Sequence, residues 1–134
     1  MSENLLQEKL RNVDQAFAEI LLRIPPWQDP YLPLYWLHIQ MIERYKVLLH
    51  ANITEGMNIL EIGCGAHAIA IVPLAHMVGA CGRIVVIDGE RWCFFDMIIE
   101  STGFRGRVIP ISCDARKLPF KYQWFDLGVI IYGI

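Results

Sequence analysis

The chain has 134 residues, 54% of them hydrophobic by type and 19% charged, with a formal net charge of −2. That length fits one domain able to bury roughly two-thirds of the surface its unfolded chain exposes, and the apolar content excludes intrinsic disorder. Twelve Lys and Arg against fourteen Asp and Glu make no strong basic field, so nucleic acid is not indicated as a partner.

Residues 4 to 24 read as an amphipathic helix. Leu6, Leu10, Val13, Phe17, Ile20 and Ile24 recur in alternating steps of four and three, which lines them on one face. Pro25-Pro26 ends it, because proline lacks an amide and constrains the residue before it. The loop Trp27-Gln28-Asp29-Pro30-Tyr31-Leu32-Pro33 is too rich in proline to be regular; it reads as a connector whose aromatics plug the core, or as a lid over a ligand. A second helix is expected from Leu34 to His50, burying Leu37, Met41, Tyr45, Leu48 and Leu49. Residues 1–52 thus form an N-terminal helical segment, too short for a well-buried core of its own. Its stripes should pack on the remainder of the chain, bringing Tyr31, Tyr35 and Trp36 toward any ligand mouth there.

From Ile53 onward the pattern changes to short apolar runs separated by turns. Strands are expected at Asn58–Ile62, Arg83–Asp88, Arg107–Ser112 and Asp126–Tyr132, with helices at Ala66–Val78 and Arg91–Ser101. Strands apolar throughout, alternating with helices, indicate an α/β fold with a doubly wound parallel sheet covered on both faces. Pro73 is awkward inside the first of those helices and predicts a kink or distortion near Ile69.

The stretch from Ile62 to Gly82 carries no Lys, Arg, Asp or Glu, but four glycines, Pro73, His67 and His76 break it, so a membrane span is not expected. Met1-Ser2-Glu3-Asn4 lacks the positive region and apolar core of a signal peptide, which predicts a cytoplasmic location. Cysteines 64, 81, 93 and 113 form no Cys-x-x-Cys pair and no His stands at zinc spacing. They read as reduced thiols, and no metal site is expected.

The segment Ile59-Leu60-Glu61-Ile62-Gly63-Cys64-Gly65-Ala66-His67-Ala68 is the one that bears on chemistry. A buried strand runs into a Gly-x-Gly turn and then directly into a helix. Gly63 permits the tight turn, and Gly65 lets a ligand approach bare backbone. The helix start offers unpaired amides and the positive end of its dipole, a geometry suited to an anionic or polar cofactor at the strand's carboxyl end. Gly63, Gly65 and Ala68 also satisfy the dinucleotide fingerprint with alanine in its last place. Glu61 discriminates: a dinucleotide-binding strand usually has an apolar residue two positions before its first glycine, whereas a carboxylate there can hold an ammonium group.

With Glu61-Ile62-Gly63-Cys64-Gly65, the run resembles motif I of class I S-adenosylmethionine-dependent methyltransferases. Arg83–Asp88 looks like that family's second strand, whose terminal acid binds both ribose hydroxyls. Cys113-Asp114-Ala115 with Leu118-Pro119-Phe120 is similar to its third motif, in which an Asp meets the adenine amino group and the next residue's backbone meets the ring. Trp124-Phe125-Asp126-Leu127 is similar to the Phe-Asp that opens its fourth strand. The resemblance covers residues 56 to 134. It implies a Rossmann-like sheet of strands one to four in the order 3-2-1-4, so that residues 53–134 form an S-adenosylmethionine-binding domain. The implied cofactor is S-adenosyl-L-methionine, held by Glu61, Gly63, Cys64, Gly65, His67, Asp88, Gly89, Asp114 and Ala115. The implied activity is methyl transfer. A non-catalytic cofactor-binding remnant or a subunit of a methyltransferase assembly and, further off, a nicotinamide-dependent oxidoreductase are the alternatives.

Two departures from the pattern matter. His67 stands where many members have a third glycine, and could bond the cofactor carboxylate or cap the helix. The family sheet has seven strands, and this sequence stops after the fourth, so strands five to seven would be missing. Strand four would then be an apolar edge able to pair with a second copy. No Asn-Pro-Pro-Tyr-like motif follows it, which argues against the amino groups of adenine, cytosine or glutamine as acceptors. No catalytic base can be assigned; His38, His50 and Tyr132 are available, each fitting a core or surface role better.

Overall fold

The computed structural model describes residues 2–23, 34–63, 70–88, 103, 106–114, 116–120 and 123–130. The first helix, α1 (Glu3–Arg23), starts at Ser2, whose hydroxyl oxygen accepts a hydrogen bond from the Leu5 amide at 3.2 Å, satisfying one of the donors every helix start leaves open. Helix α2 (Leu34–Leu48) is followed by a 3-10 turn (Leu49–Ala51) that ends on Asn52 in the left-handed region. The proline-rich loop between α1 and α2 lies outside the described residues.

Helix α1 buries Val13, Phe17 and Leu21, and α2 buries Leu37, Met41, Tyr45 and Leu48. Every one of these except Leu21 falls on the stripes that the sequence marks. Leu21 is four residues beyond Phe17, and it is buried because α1 turns a wider face inward than a single row.

Helix α3 (Ile71–Val78) is apolar nearly all round and buries Ile71, Val72, Pro73, Leu74, Ala75 and Val78, as a helix packed on two sides must. Pro73 is its third residue, inside the first turn, where no amide has an intrahelical acceptor and proline costs nothing in hydrogen bonding. The expected distortion near Ile69 lies outside the described residues, as does the expected helix over Arg91–Ser101.

Strands β1 (Asn58–Ile62), β2 (Arg83–Asp88), β3 (Val108–Ser112) and β4 (Leu127–Val129) form one parallel sheet in the order β3-β2-β1-β4. The first two keep the boundaries expected from the sequence. β3 begins one residue later than expected, and the described part of β4 is shorter, with residues 131–134 outside the description. The register pairs Asn58 with Arg83, Ile62 with Ile87, and Asp88 with Ser112, so the strands begin and end nearly level.

Side chains alternate across the sheet. On one face Ile59, Ile84, Val86 and Val108 join α1, α2 and α3 in a single buried cluster, so the N-terminal helices share the sheet's core. On the other face Leu60, Val85 and Ile87 form a smaller cluster, against which Ile62, Ile111, Cys113, Phe120 and Phe125 pack. Phe120 meets Phe125 edge to face at 5.1 Å and Trp124 at 6.0 Å.

The amino ends of the strands are laced together. Asp126 accepts the Asn58 amide at 2.7 Å through Oδ2 and donates its own amide to the Asn58 carbonyl at 2.8 Å. Arg107 donates to the Gly79 carbonyl at 2.7 Å, and Arg83 to the Gly82 carbonyl at 2.9 Å. Gly82 lets β2 start against the end of α3: a Cβ there would lie 2.3 Å from the Val78 Cβ and 2.7 Å from its carbonyl oxygen.

Candidate functional site at the carboxyl ends of the strands

Glu61 is the one charged residue buried among the described residues, at 1% exposure. It is the fourth residue of β1 and alternates with Ile59, which puts it on the α3 side of the sheet. An ionised carboxylate in such a place is costly unless it has polar company, and Glu61 does make polar or electrostatic interactions there. Two residues on, Gly63 has φ +75°, in the left-handed region open to glycine, and donates its amide to the Ile87 carbonyl at 2.7 Å. That bond carries the β1–β2 ladder one step past Ile62 before the chain leaves the sheet.

Asp88 closes β2 at the same edge, next to the Gly63 end of β1 and opposite Ser112 of β3; its side chain is outside the description. Asp114 follows β3 by two residues and is 42% exposed. Its carboxylate takes the Arg116 guanidinium, with Nη2 to Oδ2 at 2.7 Å, Nε to Oδ1 at 3.0 Å and Nε to Oδ2 at 3.1 Å. The Arg116 amide also donates to Oδ1, at 2.9 Å. The Arg116 side chain, and after it this amide, hold the Asp114 carboxyl below the usual carboxylate range, so the group is charged at neutral pH. Of the other expected site residues, Cys64, Gly65, His67, Gly89 and Ala115 lie outside the described residues.

The described members Glu61, Gly63, Asp88 and Asp114 therefore all sit at one edge of the sheet, the carboxyl ends of three adjacent strands. The residue types, a buried acid, a glycine of positive φ and two further acids, suit a polar ligand that carries a cationic group. Among the described residues no group of three or more His, Cys, Asp and Glu could hold a metal ion. No helix there is long and apolar enough to cross a membrane. Arg116 is the neighbour of Asp114 that sequence reasoning misses, since nothing in the motif around Asp114 points to it.

The histidines lie elsewhere. His38 Nε2 is 3.0 Å from Asp14 Oδ1 and 3.1 Å from the Asp14 carbonyl, so it ties α2 to α1. These two residues line an open surface cleft of about 190 Å³ with Ile39, Ile42 and Glu43. His50 is exposed in the 3-10 turn, and Tyr132 is outside the described residues. His76 keeps part of its surface in solvent, while its ring meets Phe17 at 5.7 Å and Tyr45 at 6.1 Å, both edge to face. Burial there lowers its pKa below the ordinary imidazole value, and burial raises that of Tyr45. Trp36 is 46% exposed; Tyr31 and the side chain of Tyr35 lie outside the description.

No protein-family model matches the chain. Ubiquinone/menaquinone biosynthesis C-methyltransferase UbiE of Bordetella avium is 25% identical over 132 residues, which are 95% of this chain and 48% of that protein. The chain thus spans about half the length of the curated relative it matches. Among solved structures, a cyclopropane-fatty-acyl-phospholipid synthase-like protein from Lactobacillus casei superposes with a TM-score of 0.69 at 20% identity, over 87% of this chain and 46% of that one. A SAM dependent methyltransferase from Aquifex aeolicus gives 0.59 at 20% identity, over 85% and 55%. A protein-L-isoaspartate O-methyltransferase gives 0.57 at 18%, over 92% and 47%. With its four parallel strands in the order β3-β2-β1-β4, the chain has the Rossmann-like fold of these methyltransferase structures.

Proposed function

We propose that the chain binds S-adenosylmethionine across the carboxyl ends of β1, β2 and β3 and serves methyl transfer from it. The observation that carries this reading is the buried Glu61 beside the positive-φ Gly63, level with the end of β2. Motif and fold point the same way. When bound, the cofactor would supply a methyl group activated on a sulfonium, whose transfer releases a neutral thioether as leaving group.

The chain's own residues then divide the work of holding it. Glu61 accepts from the ammonium group, directly or through water, and Gly63 with Gly65 keeps side chains out of the way. Asp88 accepts from both ribose hydroxyls, since one carboxylate can serve two vicinal donors. Asp114 accepts from the adenine amino group. Cys64, His67, Gly89 and Ala115 complete the lining. Orientation of donor against acceptor in a water-poor site is the main catalytic contribution asked of such residues. The proposal includes a cytoplasmic setting, where free thiols such as Cys81 and Cys113 stay reduced.

Calorimetry with S-adenosylhomocysteine and with NADH tests the reading. Binding of the former and not the latter is expected, and it should weaken sharply in Asp88→Ala. Preference for NADH would replace this reading with an oxidoreductase. No binding of either at millimolar ligand would remove the site altogether.

A further inference from the structure

The backbone brings Asp114 and Arg116 together before their side chains meet. The Lys117 amide donates to the Asp114 carbonyl at 2.9 Å, closing a turn, and the Arg116 amide donates to Asp114 Oδ1 at 2.9 Å. An aspartate that opens a turn takes the amide two residues on in this way. That bond pins one oxygen and leaves the other free to swing. The Arg116 guanidinium secures the second: Nη2 donates to Oδ2 at 2.7 Å, while Nε lies 3.0 Å from Oδ1 and 3.1 Å from Oδ2. A planar fork laid across both oxygens fixes the plane of the carboxylate as well as its position.

These are three N–H donors on a group with about four acceptor positions, so the carboxylate keeps capacity for another donor. It is 42% exposed, which leaves that capacity within reach of a ligand. Two effects of the guanidinium oppose each other there. Its charge disfavours a further donor on the same carboxylate, and its grip removes freedom that Asp114 would otherwise lose on meeting one. The first is weakened by water, because the Arg116 side chain is 88% exposed and an adenine amine is uncharged. The second acts in contact, and an acceptor already ordered spares the ligand that entropy. Orientation prevails.

We infer that Arg116 is a positioning residue for the adenine amino group, holding the Asp114 carboxylate in one orientation with an acceptor position open. This rests on the placement of adenine at Asp114 proposed above. The guanidinium stays in place when the ligand binds. Discrimination comes from Asp114, which rewards a base carrying a donor, and Arg116 strengthens that reward without touching the base.

The test measures binding of S-adenosylhomocysteine and of its analogue with unsubstituted purine in place of adenine. The parent chain, Arg116→Gln, Arg116→Lys, Asp114→Asn and the double variant of Arg116→Gln with Asp114→Asn are compared, with thermal melts confirming that each is folded. The parent is expected to bind S-adenosylhomocysteine more tightly than the purine analogue. Arg116→Gln should bind S-adenosylhomocysteine about 1.5-fold to 5-fold more weakly, since the pair cannot lend more order than an exposed ion pair is worth. It should bind the purine analogue as the parent does. Arg116→Lys should behave like Arg116→Gln, because one ammonium lacks the fork that spans both oxygens. In the Asp114→Asn background, Arg116→Gln should have no effect. Unchanged or tighter binding of S-adenosylhomocysteine by Arg116→Gln, an equal loss for both ligands, or full affinity in Arg116→Lys would each overturn the inference while leaving adenine at Asp114. Equal affinity of the parent for the two ligands, or no binding of either at millimolar concentration, would instead overturn the placement at Asp114 and this inference with it.

Discussion

The two ends of the sheet use the same parallel ladder and spend their polar groups in opposite ways. At the amino ends, charged side chains turn back onto the protein's own backbone: Asp126 onto Asn58, Arg107 onto the Gly79 carbonyl, Arg83 onto the Gly82 carbonyl. The two arginines sit where α3 ends, the place where a helix dipole favours cations. At the carboxyl ends three acids gather, one of them buried, beside a glycine turn. Of these, Asp114 is held by the Arg116 guanidinium and Glu61 is enclosed in the sheet. One end closes the fold, and the other carries the proposed site.

That division is sharpest if substitutions at the two ends move different observables. The largest effect is expected from Asp88→Ala at the carboxyl end. Loss of hydrogen bonds to a charged acceptor should cost about 1.5–3 kcal/mol of S-adenosylhomocysteine affinity, with the melting temperature nearly unchanged. A variant that binds like the parent would move the ribose elsewhere. Next comes Gly82→Ala at the amino end, where the added carbon would press into Val78 side chain and backbone alike. Overpacking of this sort costs about 1–3 kcal/mol of stability, measurable by urea denaturation, and ligand affinity of the folded fraction should hold.

Asp126→Ala should destabilise by about 1 kcal/mol, less than a buried charged bond because Asp126 is exposed. A fall in ligand affinity without a fall in stability would erase the contrast between the ends. The smallest effect concerns His76, whose pKa burial lowers. The unfolded chain then takes up the proton at higher pH than the folded one. The contribution is fully present above the ordinary imidazole value of about 6.5 and is lost as pH falls through it toward the folded value. The parent chain should melt at lower temperature at pH 5.5 than at pH 7.5 by more than His76→Gln does.

Much of this fold was legible because the punctuation is local. β1 and β2 are bounded by glycine turns and by charged or polar residues at their ends, so their limits could be read directly. The stripes on α1 and α2 follow from helical spacing alone. Leu21 escaped because a stripe describes one contact line, whereas α1 packs within a cluster fed by α2, α3 and the sheet. The strand order came from resemblance to a family, since no pattern in the strands themselves dictates which neighbours pair.

At the site, Glu61 and Gly63 stood out as residue types wrong for an ordinary buried strand and right for a ligand turn. The grip of Arg116 on Asp114 could not be read, because two exposed opposite charges near each other in sequence pair or do not according to backbone geometry. The same limit hid the His38–Asp14 tie and the Asp126–Asn58 bonds, which join residues 24 and 68 positions apart.

That last separation has a kinetic consequence. β1 pairs with β2 across a short stretch containing α3, but its bonds to β4 must wait for a chain segment 68 residues distant. Closing the longer loop costs more entropy, and such distant pairings form late. Until β4 docks, β1 is an open strand edge, the kind of surface on which neighbouring chains assemble. A charge pointing inward from such an edge deters that pairing. Glu61, the acid proposed to meet the cofactor in the finished protein, would thus guard the half-folded chain against its own copies.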